Sequence, residues 1–335
     1  MNKVLSFILL FVLAACSTVD KTTREPIPEA DYTLVFMVHG DANYTYHENG
    51  ERYRADERMI DEAIARGKAS TNGEVFIFHQ KPEGKRFFFF PKKDRVWYHF
   101  RGGELTGKGA YSPKGGGFEA EAEIYKSMAS EQGRKMFLYF GHEIPSQASF
   151  TYHNSQPKQR FNTRIFTEDI TLFEDKFDLV VLSTCNNGNP LMASGLTGKS
   201  RYLVASPRDL HLSYMDTRAL QELEERPSIT TGTLADSLAK DSFKRLSEQL
   251  QTLVTVGIYD LDVIDTYIHT WADTYSTYLE KLDQESLFRD NTECNKLDIF
   301  TDKSIPVSGT SLYFEAPAFG REAGRSTHSV WGCKN

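Results

Sequence analysis

The sequence predicts an α/β protein: a three-layer αβα sandwich around a mostly parallel sheet, with a C-terminal helical extension. Two observations carry that prediction. Five short, almost continuously apolar runs, residues 32–38, 74–78, 135–140, 177–182 and 201–205, read as strands buried on both faces. Segments of helical spacing alternate with several of them, which is the pattern of a parallel sheet covered by helices. Two of the runs also end at a reactive side chain, His142 and Cys185.

In chain order, Tyr-Thr-Leu-Val-Phe-Met-Val over 32–38 is the first buried strand. Residues 53–68 have helical spacing, with Met59, Ile60, Ala63 and Ile64 on one side. The second strand follows at 74–78. Residues 85–101 are aromatic and alternating around Pro91-Lys92-Lys93-Asp94, the signature of a hairpin. Residues 102–117 are glycine-rich and read as a loop, and 118–131 as a helix. The third strand, 135–140, ends at Gly141-His142-Glu143; the fourth, 177–182, at Ser183-Thr184-Cys185; the fifth, 201–205, at Ser206-Pro207. From 231 to about 282 the pattern is helical, and Val263, Ile264, Tyr267, Ile268, Trp271, Tyr275 and Leu279 form one broad apolar face. The last fifty residues show no clear period, and no internal repeat stands out.

The start of the chain carries its own signal. Lys3 precedes an apolar run over 4–12, which stops at Leu13-Ala14-Ala15-Cys16. A short basic start, a short apolar core and small residues at the cut mark a secretory signal. Spanning a bilayer takes about 20 apolar residues, more than this run offers. Leu-Ala-Ala-Cys resembles the lipobox of bacterial lipoproteins, which implies cleavage before Cys16 and lipids on that residue. The expected organisation is a signal peptide at 1–15, a lipidated Cys16 with a tether to residue 30, a catalytic core at 31–226, and a C-terminal region at 227–335 that completes the domain. Several acyl chains would hold the protein on a bacterial envelope membrane, the outer membrane by expectation, facing the periplasm or the surface. The net charge of −7 is mild and basic residues are interspersed with acidic ones, which argues against a nucleic-acid partner.

With Cys16 lipidated, three of the four cysteines remain. Exported proteins usually pair their cysteines. Cys294 and Cys333 share the C-terminal tail and are the expected disulfide, closing a loop worth about 3 to 4 kcal/mol on the chain-entropy estimate. Cys185 is then the odd thiol, either a reactive nucleophile or a buried, inert side chain.

In open α/β sheets functional groups collect at the carboxyl ends of strands. His142 and Cys185 both stand there. If their strands are neighbours, a nucleophile and its acid/base partner project from one sheet edge. At these residues the chain resembles the caspase-like cysteine peptidases (caspases, gingipains, legumains, clostripain), and the clostripain-like members best. Residues 32–43 are similar to their first strand and the acidic turn after it. Residues 136–142 resemble their His block, 177–185 (Phe-Asp-Leu-Val-Val-Leu-Ser-Thr-Cys) their Cys block, and 202–206 the strand that follows. Residues 256–264 are similar to a later segment in which Asp-Leu opens a helix.

The resemblance implies a caspase-like fold and a peptidase in which Cys185 attacks the scissile carbonyl and His142 shuttles the proton. Backbone N–H groups near Glu143 and Cys185 would hold the oxyanion, and the partner would be a peptide or protein substrate. Ser183, Ser206 and Asp209 fall at positions that line the family's substrate pocket. Two departures qualify this. Glu143 stands where the family has Gly after its His. Ser183 stands where clostripain relatives carry the Asp that recognises Arg or Lys, and a neutral Ser cannot pair with a guanidinium as a carboxylate does. Strict Arg/Lys specificity is therefore not expected. Asp209 either restores an acidic contact or is a solvated loop residue.

Other constellations fall short. His39-Gly40 also follows a buried strand, but no Gly-x-Ser-x-Gly elbow accompanies it. The run 102–108 is nearly a phosphate loop, but Gly109 stands where Ser or Thr should hold magnesium. An exposed loop at 102–117 is instead a candidate for activation cleavage. No histidine pair has zinc-protease spacing, so no metal ligand or cofactor is assigned. Relatives can bind a structural calcium ion, although no calcium-loop motif occurs. The expectation is a cell-envelope cysteine endopeptidase; the alternative is a catalytically inactive caspase-like lipoprotein acting as a binding or assembly module.

Overall fold

Eight consecutive buried residues, Tyr32–His39, form β1, whose side chains alternate between two cores. This is a computed structural model, and it describes residues 29–41, 44–82, 85–86, 90–91, 94–146, 152–160, 162–211, 215–249, 253–264, 268, 309–315 and 319. After β1 come β2 (Thr45–Glu48), β3 (Glu51–Arg54), α1 (Ala55–Ala69), β4 (Gly73–Gln80), β5 (Lys85–Arg86), β6 (Phe90–Pro91), β7 (Arg95–Arg101) and β8 (Glu104–Tyr111). They are followed by α2 (Glu119–Lys126), β9 (Arg134–Phe140), α3 (Thr163–Asp169), β10 (Phe177–Ser183), α4 (Pro190–Leu196) and β11 (Ser200–Ala205). The chain continues through α5 (Glu222–Glu225), α6 (Thr231–Gln249), β12 (Val254–Asp260) and β13 (Thr310–Glu315).

Among the described residues nine strands make one sheet in the order β13-β12-β11-β10-β9-β1-β4-β7-β8. The central five, β11-β10-β9-β1-β4, are parallel throughout, and these are the five apolar runs of the sequence. Antiparallel strands flank them on both sides: β12 and β13 at one edge, β7 and β8 at the other. Leu34, Phe36 and Val38 of β1 point to a core shared with Met59, Ala63, Leu234 and Leu238, which belong to α1 and α6. Val35 and Met37 point to the opposite core, with Tyr125, Phe166, Met192 and Leu196 of α2, α3 and α4. Burial on both faces is what made these strands read as unbroken apolar runs. The predicted three-layer αβα sandwich is therefore observed, with a mixed sheet whose centre is parallel.

The short helices begin where their caps dictate. The Asn162 side chain accepts from the Ile165 N–H and starts α3. Asn189 accepts from the Met192 N–H, and Pro190 opens α4 in the position that needs no donor.

Three expectations are corrected. The glycine-rich stretch 102–117 is not all loop. Gly102 (φ 61°) and Gly103 (φ 79°) form the two-residue hairpin turn that needs left-handed backbone, and β8 pairs with β7 beyond it. The hairpin expected within 85–101 pairs β5 with β6 only, while β7 joins the main sheet beside β4. The helical pattern read from 231 to 282 is interrupted: Thr231–Gln249 is a helix, Val254–Asp260 is a strand with Val254 to Tyr259 buried, and Ile264 and Ile268 are again helical. A short fully buried strand and a buried helical segment share the same apolar run, and periodicity cannot separate them. Of the apolar face predicted further on, Ile264 and Ile268 are buried and Val263 is exposed, while Tyr267, Trp271, Tyr275 and Leu279 lie outside the described residues. The signal segment, Cys16, Cys294 and Cys333 lie outside them too, so the lipid anchor and the Cys294–Cys333 bridge are not addressed by the fold. Among the described residues no helix is long and apolar enough to cross a membrane.

Candidate active site

The sheet register brings the two reactive residues together. β9 and β10 are adjacent and parallel, with Phe140 opposite Ser183. His142 is two residues beyond the first and Cys185 two residues beyond the second, so both leave the sheet at one level of its carboxyl edge. On the other side of β9, Val38 of β1 lies opposite Phe140, which delivers the β1 end, with Asp41, to the same place.

His142 is held on both nitrogens. Its Nε2 is 3.1 Å from Asp41 Oδ2, and its Nδ1 is 3.1 Å from the Tyr44 hydroxyl. A carboxylate only accepts, so the ring proton belongs on Nε2, and Nδ1 offers its lone pair to the Tyr44 O–H. The His153 ring stacks on His142 with centroids 3.4 Å apart. Tyr152 closes the back, its hydroxyl donating to the His142 carbonyl at 3.0 Å. Burial chiefly, with help from His153, lowers the His142 pKa to about 4, although Asp41 pulls it upward. His142 is therefore neutral at physiological pH. Burial, then the charges of Asp41 and Cys185, hold the Tyr44 phenol above its ordinary value, so it remains a donor.

Cys185 is partly buried and in no disulfide. Its Sγ accepts from the Leu210 N–H at 3.3 Å and lies 3.6 Å from the Leu210 carbonyl. The N–H on sulfur suits the thiolate, whereas the S–H donated to the Leu210 carbonyl suits the thiol, so Leu210 holds the side chain in place in either form. Cys185 and Tyr44 both pack against the edge of the same hydrophobic core.

Asn187 ties the two reactive loops together. Its Oδ1 accepts from the Ile144 N–H and the Thr184 hydroxyl, and its Nδ2 donates to the Ile144 carbonyl. Asn187→Ala should orphan these buried groups and cost about 2–4 kcal/mol in a denaturant titration. For the peptidase expected from the sequence, cleavage by the folded fraction should fall by about 10²-fold through misplacement of His142 against Cys185. Unchanged cleavage in a folded variant would remove this positioning role.

The other residues expected from the sequence separate into two groups. Ser183 and Ser206 are fully internal: the Ser183 hydroxyl accepts from the Met215 N–H, and that of Ser206 bonds both ends of Arg208. Glu143 and Asp209 converge instead on Asn186, whose Nδ2 donates to Glu143 Oε2 at 2.9 Å and to Asp209 Oδ1 at 3.0 Å. Asn186 takes φ 55°, which Asn tolerates better than most residues. His39, at the end of β1, is buried and bonded to the Tyr139 hydroxyl, with its ring against Tyr152 behind His142. Sequence reasoning missed Asp41, Tyr44, His153 and Asn187. Asp41 lay within the quoted acidic turn, and its position just past a buried strand was the available signal; His153 carried none.

No family model matches the chain, and no curated protein matches it. Solved structures do. A secreted C11 cysteine protease from Bacteroides thetaiotaomicron, "iotapain", aligns with 10% identity over 78% of this chain and 74% of its own, with a TM-score of 0.51. The chain has the fold of the C11, clostripain-like cysteine proteases. A second structure of a secreted C11 cysteine protease from the same organism, in complex with an irreversible peptide inhibitor, aligns at 11% identity over 77% and 72% of the two chains, with a TM-score of 0.50. At this identity the likeness concerns the fold, and this chain's chemistry rests on its own residues.

Proposed function

We propose that the protein is a cell-envelope cysteine endopeptidase of C11 type, anchored through lipids on Cys16. The observation that carries the peptidase reading is the register of β9 and β10, which sets His142 level with Cys185, together with the Asp41 carboxylate on the far nitrogen of His142. His142 Nδ1 takes the Cys185 proton once the Tyr44 hydroxyl yields its place. The thiolate attacks the scissile carbonyl, and N–H groups near Glu143 and Cys185 stabilise the oxyanion. The imidazolium returns the proton to the leaving amine, and water then hydrolyses the thioester. The anchor rests on the Leu-Ala-Ala-Cys sequence alone.

The Glu143–Asn186–Asp209 group supports a substrate contact beside the nucleophile. Two carboxylates around one amide favour a cationic or donor-rich side chain, in place of the missing acid at Ser183. Both acids are open to water, so the effect is a preference: Glu143→Gln with Asp209→Asn should lower kcat/KM for Arg and Lys substrates by about tenfold relative to uncharged ones. Equal rates for both classes before and after substitution would dismiss that contact.

The deciding experiment is cleavage of a mixed fluorogenic peptide library by the full chain, beside a Cys185→Ala control. Cleavage that vanishes in the control supports the peptidase. The second reading, a binding module on this fold, is favoured by one observation: the Tyr44 hydroxyl occupies the His142 nitrogen that must take the thiol proton. Peptide binding without cleavage would establish it.

A further inference from the structure

Three potential ligand atoms converge on one side of the His142 ring. One ring nitrogen each of His142 and His153 and an Asp41 carboxylate oxygen lie within 4.8 Å of one another, and His142 Nε2 and His153 Nδ1 are the two that approach Asp41. Asp41 Oδ2 is 3.1 Å from the first and 3.9 Å from the second. Tetrahedral zinc with bonds of about 2.0–2.1 Å spaces its ligands about 3.3 Å apart, close to the spacings found here, although the near-parallel rings must tilt apart to aim their in-plane lone pairs at one ion. Two imidazoles and one carboxylate suit zinc better than calcium or magnesium, which prefer all-oxygen sets.

The group is supported from outside. His153 sits in a tight turn closed by the Gln156 N–H on the His153 carbonyl. Buried Gln156 fastens that turn to the sheet by donating to the carbonyls of Gly40 and Gln80, at the ends of β1 and β4. Asp41 is buried, His142 nearly so, and His153 about one-third exposed, which leaves an entry on one side. A cation would ask two adjustments. His153 Nδ1 would exchange its contacts with Ser155 for the metal, and the stacked rings would tilt so that each lone pair points inward. The proton on His142 would move to Nδ1 and be donated to the Tyr44 oxygen, the outer-sphere bond typical of a metal-bound histidine.

We propose that Asp41, His142 and His153 form an inhibitory site for a zinc-type divalent cation, with water in the fourth position. Resting on the peptidase reading, the consequence is a switch: zinc locks His142 with its only proton on Nδ1, where no lone pair is left for Cys185, and chelation restores it.

The test is calorimetric titration of the full, reduced chain with zinc chloride, read beside cleavage. Parent and Cys185→Ala should bind zinc equally tightly. His153→Ala should bind at least about tenfold more weakly, and the zinc concentration that halves cleavage should rise by the same factor. Calcium at the same concentrations should do neither. If His153→Ala does not fold, by its circular dichroism, His153→Gln takes its place. Zinc affinity unchanged by the His153 substitution overturns the site. So does a cobalt complex whose spectrum carries a thiolate charge-transfer band that disappears in Cys185→Ala, since the cation would then sit on the thiol. A parent chain that binds zinc through His153 but cleaves no peptide keeps the site and removes the peptidase.

Discussion

Cys185→Ala, His142→Ala and the double variant are expected to share one residual rate, about 10⁴- to 10⁶-fold below the parent. Groups that act as one unit are not additive: once the nucleophile is gone, its base has nothing to activate, and the reverse holds too. The register across β9 and β10 is the structural ground for treating the two as a unit. His142→Ala should also slow alkylation of Cys185 by iodoacetamide near neutral pH, because the thiol loses the imidazole that takes its proton. Single-turnover cleavage and alkylation rates on the three variants check this. Multiplicative losses, or alkylation unaffected by His142→Ala, would show two independent residues.

Asp41→Asn should lower kcat/KM by about 10²- to 10⁴-fold with little change in fold. Asp41 is buried, its carboxylate faces His142 Nε2, and Asn fills nearly the same volume. An amide can turn its N–H₂ toward Nε2 and so favour the wrong tautomer, and it no longer stabilises the imidazolium formed as the thiol is deprotonated. The pH dependence follows from the same contacts. Burial and His153 depress the His142 pKa to about 4, and Asp41 opposes them. The acid limb of parental kcat/KM should therefore fall near pH 4, with His142 still neutral at pH 5. Without Asp41 the limb moves to lower pH while the plateau drops. Because the folded value lies below the ordinary 6.5, the His142 contribution to stability is complete above pH 6.5 and is lost as pH falls from there toward 4. A plateau that survives Asp41→Asn would leave the carboxylate as a metal ligand without a catalytic role.

The central sheet was legible because its five strands are buried on both faces, and such strands write their location as unbroken apolar runs. His142 and Cys185 were legible for a related reason: each follows its run within three residues, and strand ends are where an open sheet presents side chains. The flanking elements were less so. β8 carries exposed positions and glycines, and β12 is an apolar run short enough to pass for part of a helix.

The sequence by itself determined the layer architecture and the parallel core, because local burial patterns encode both, and it placed His142 and Cys185 just past the ends of two of those strands. Only the tertiary structure decided what surrounds that pair. Asp41 lies 101 residues from His142 in the chain, and Tyr44 lies 98 away. His153 joins them through a turn fastened by Gln156. What Ser183 and Ser206 bond was likewise fixed only in three dimensions, since side-chain direction depends on which strands pair and in what register. Strand order is a long-range choice, made by how the whole sheet packs, and no local window of sequence contains it.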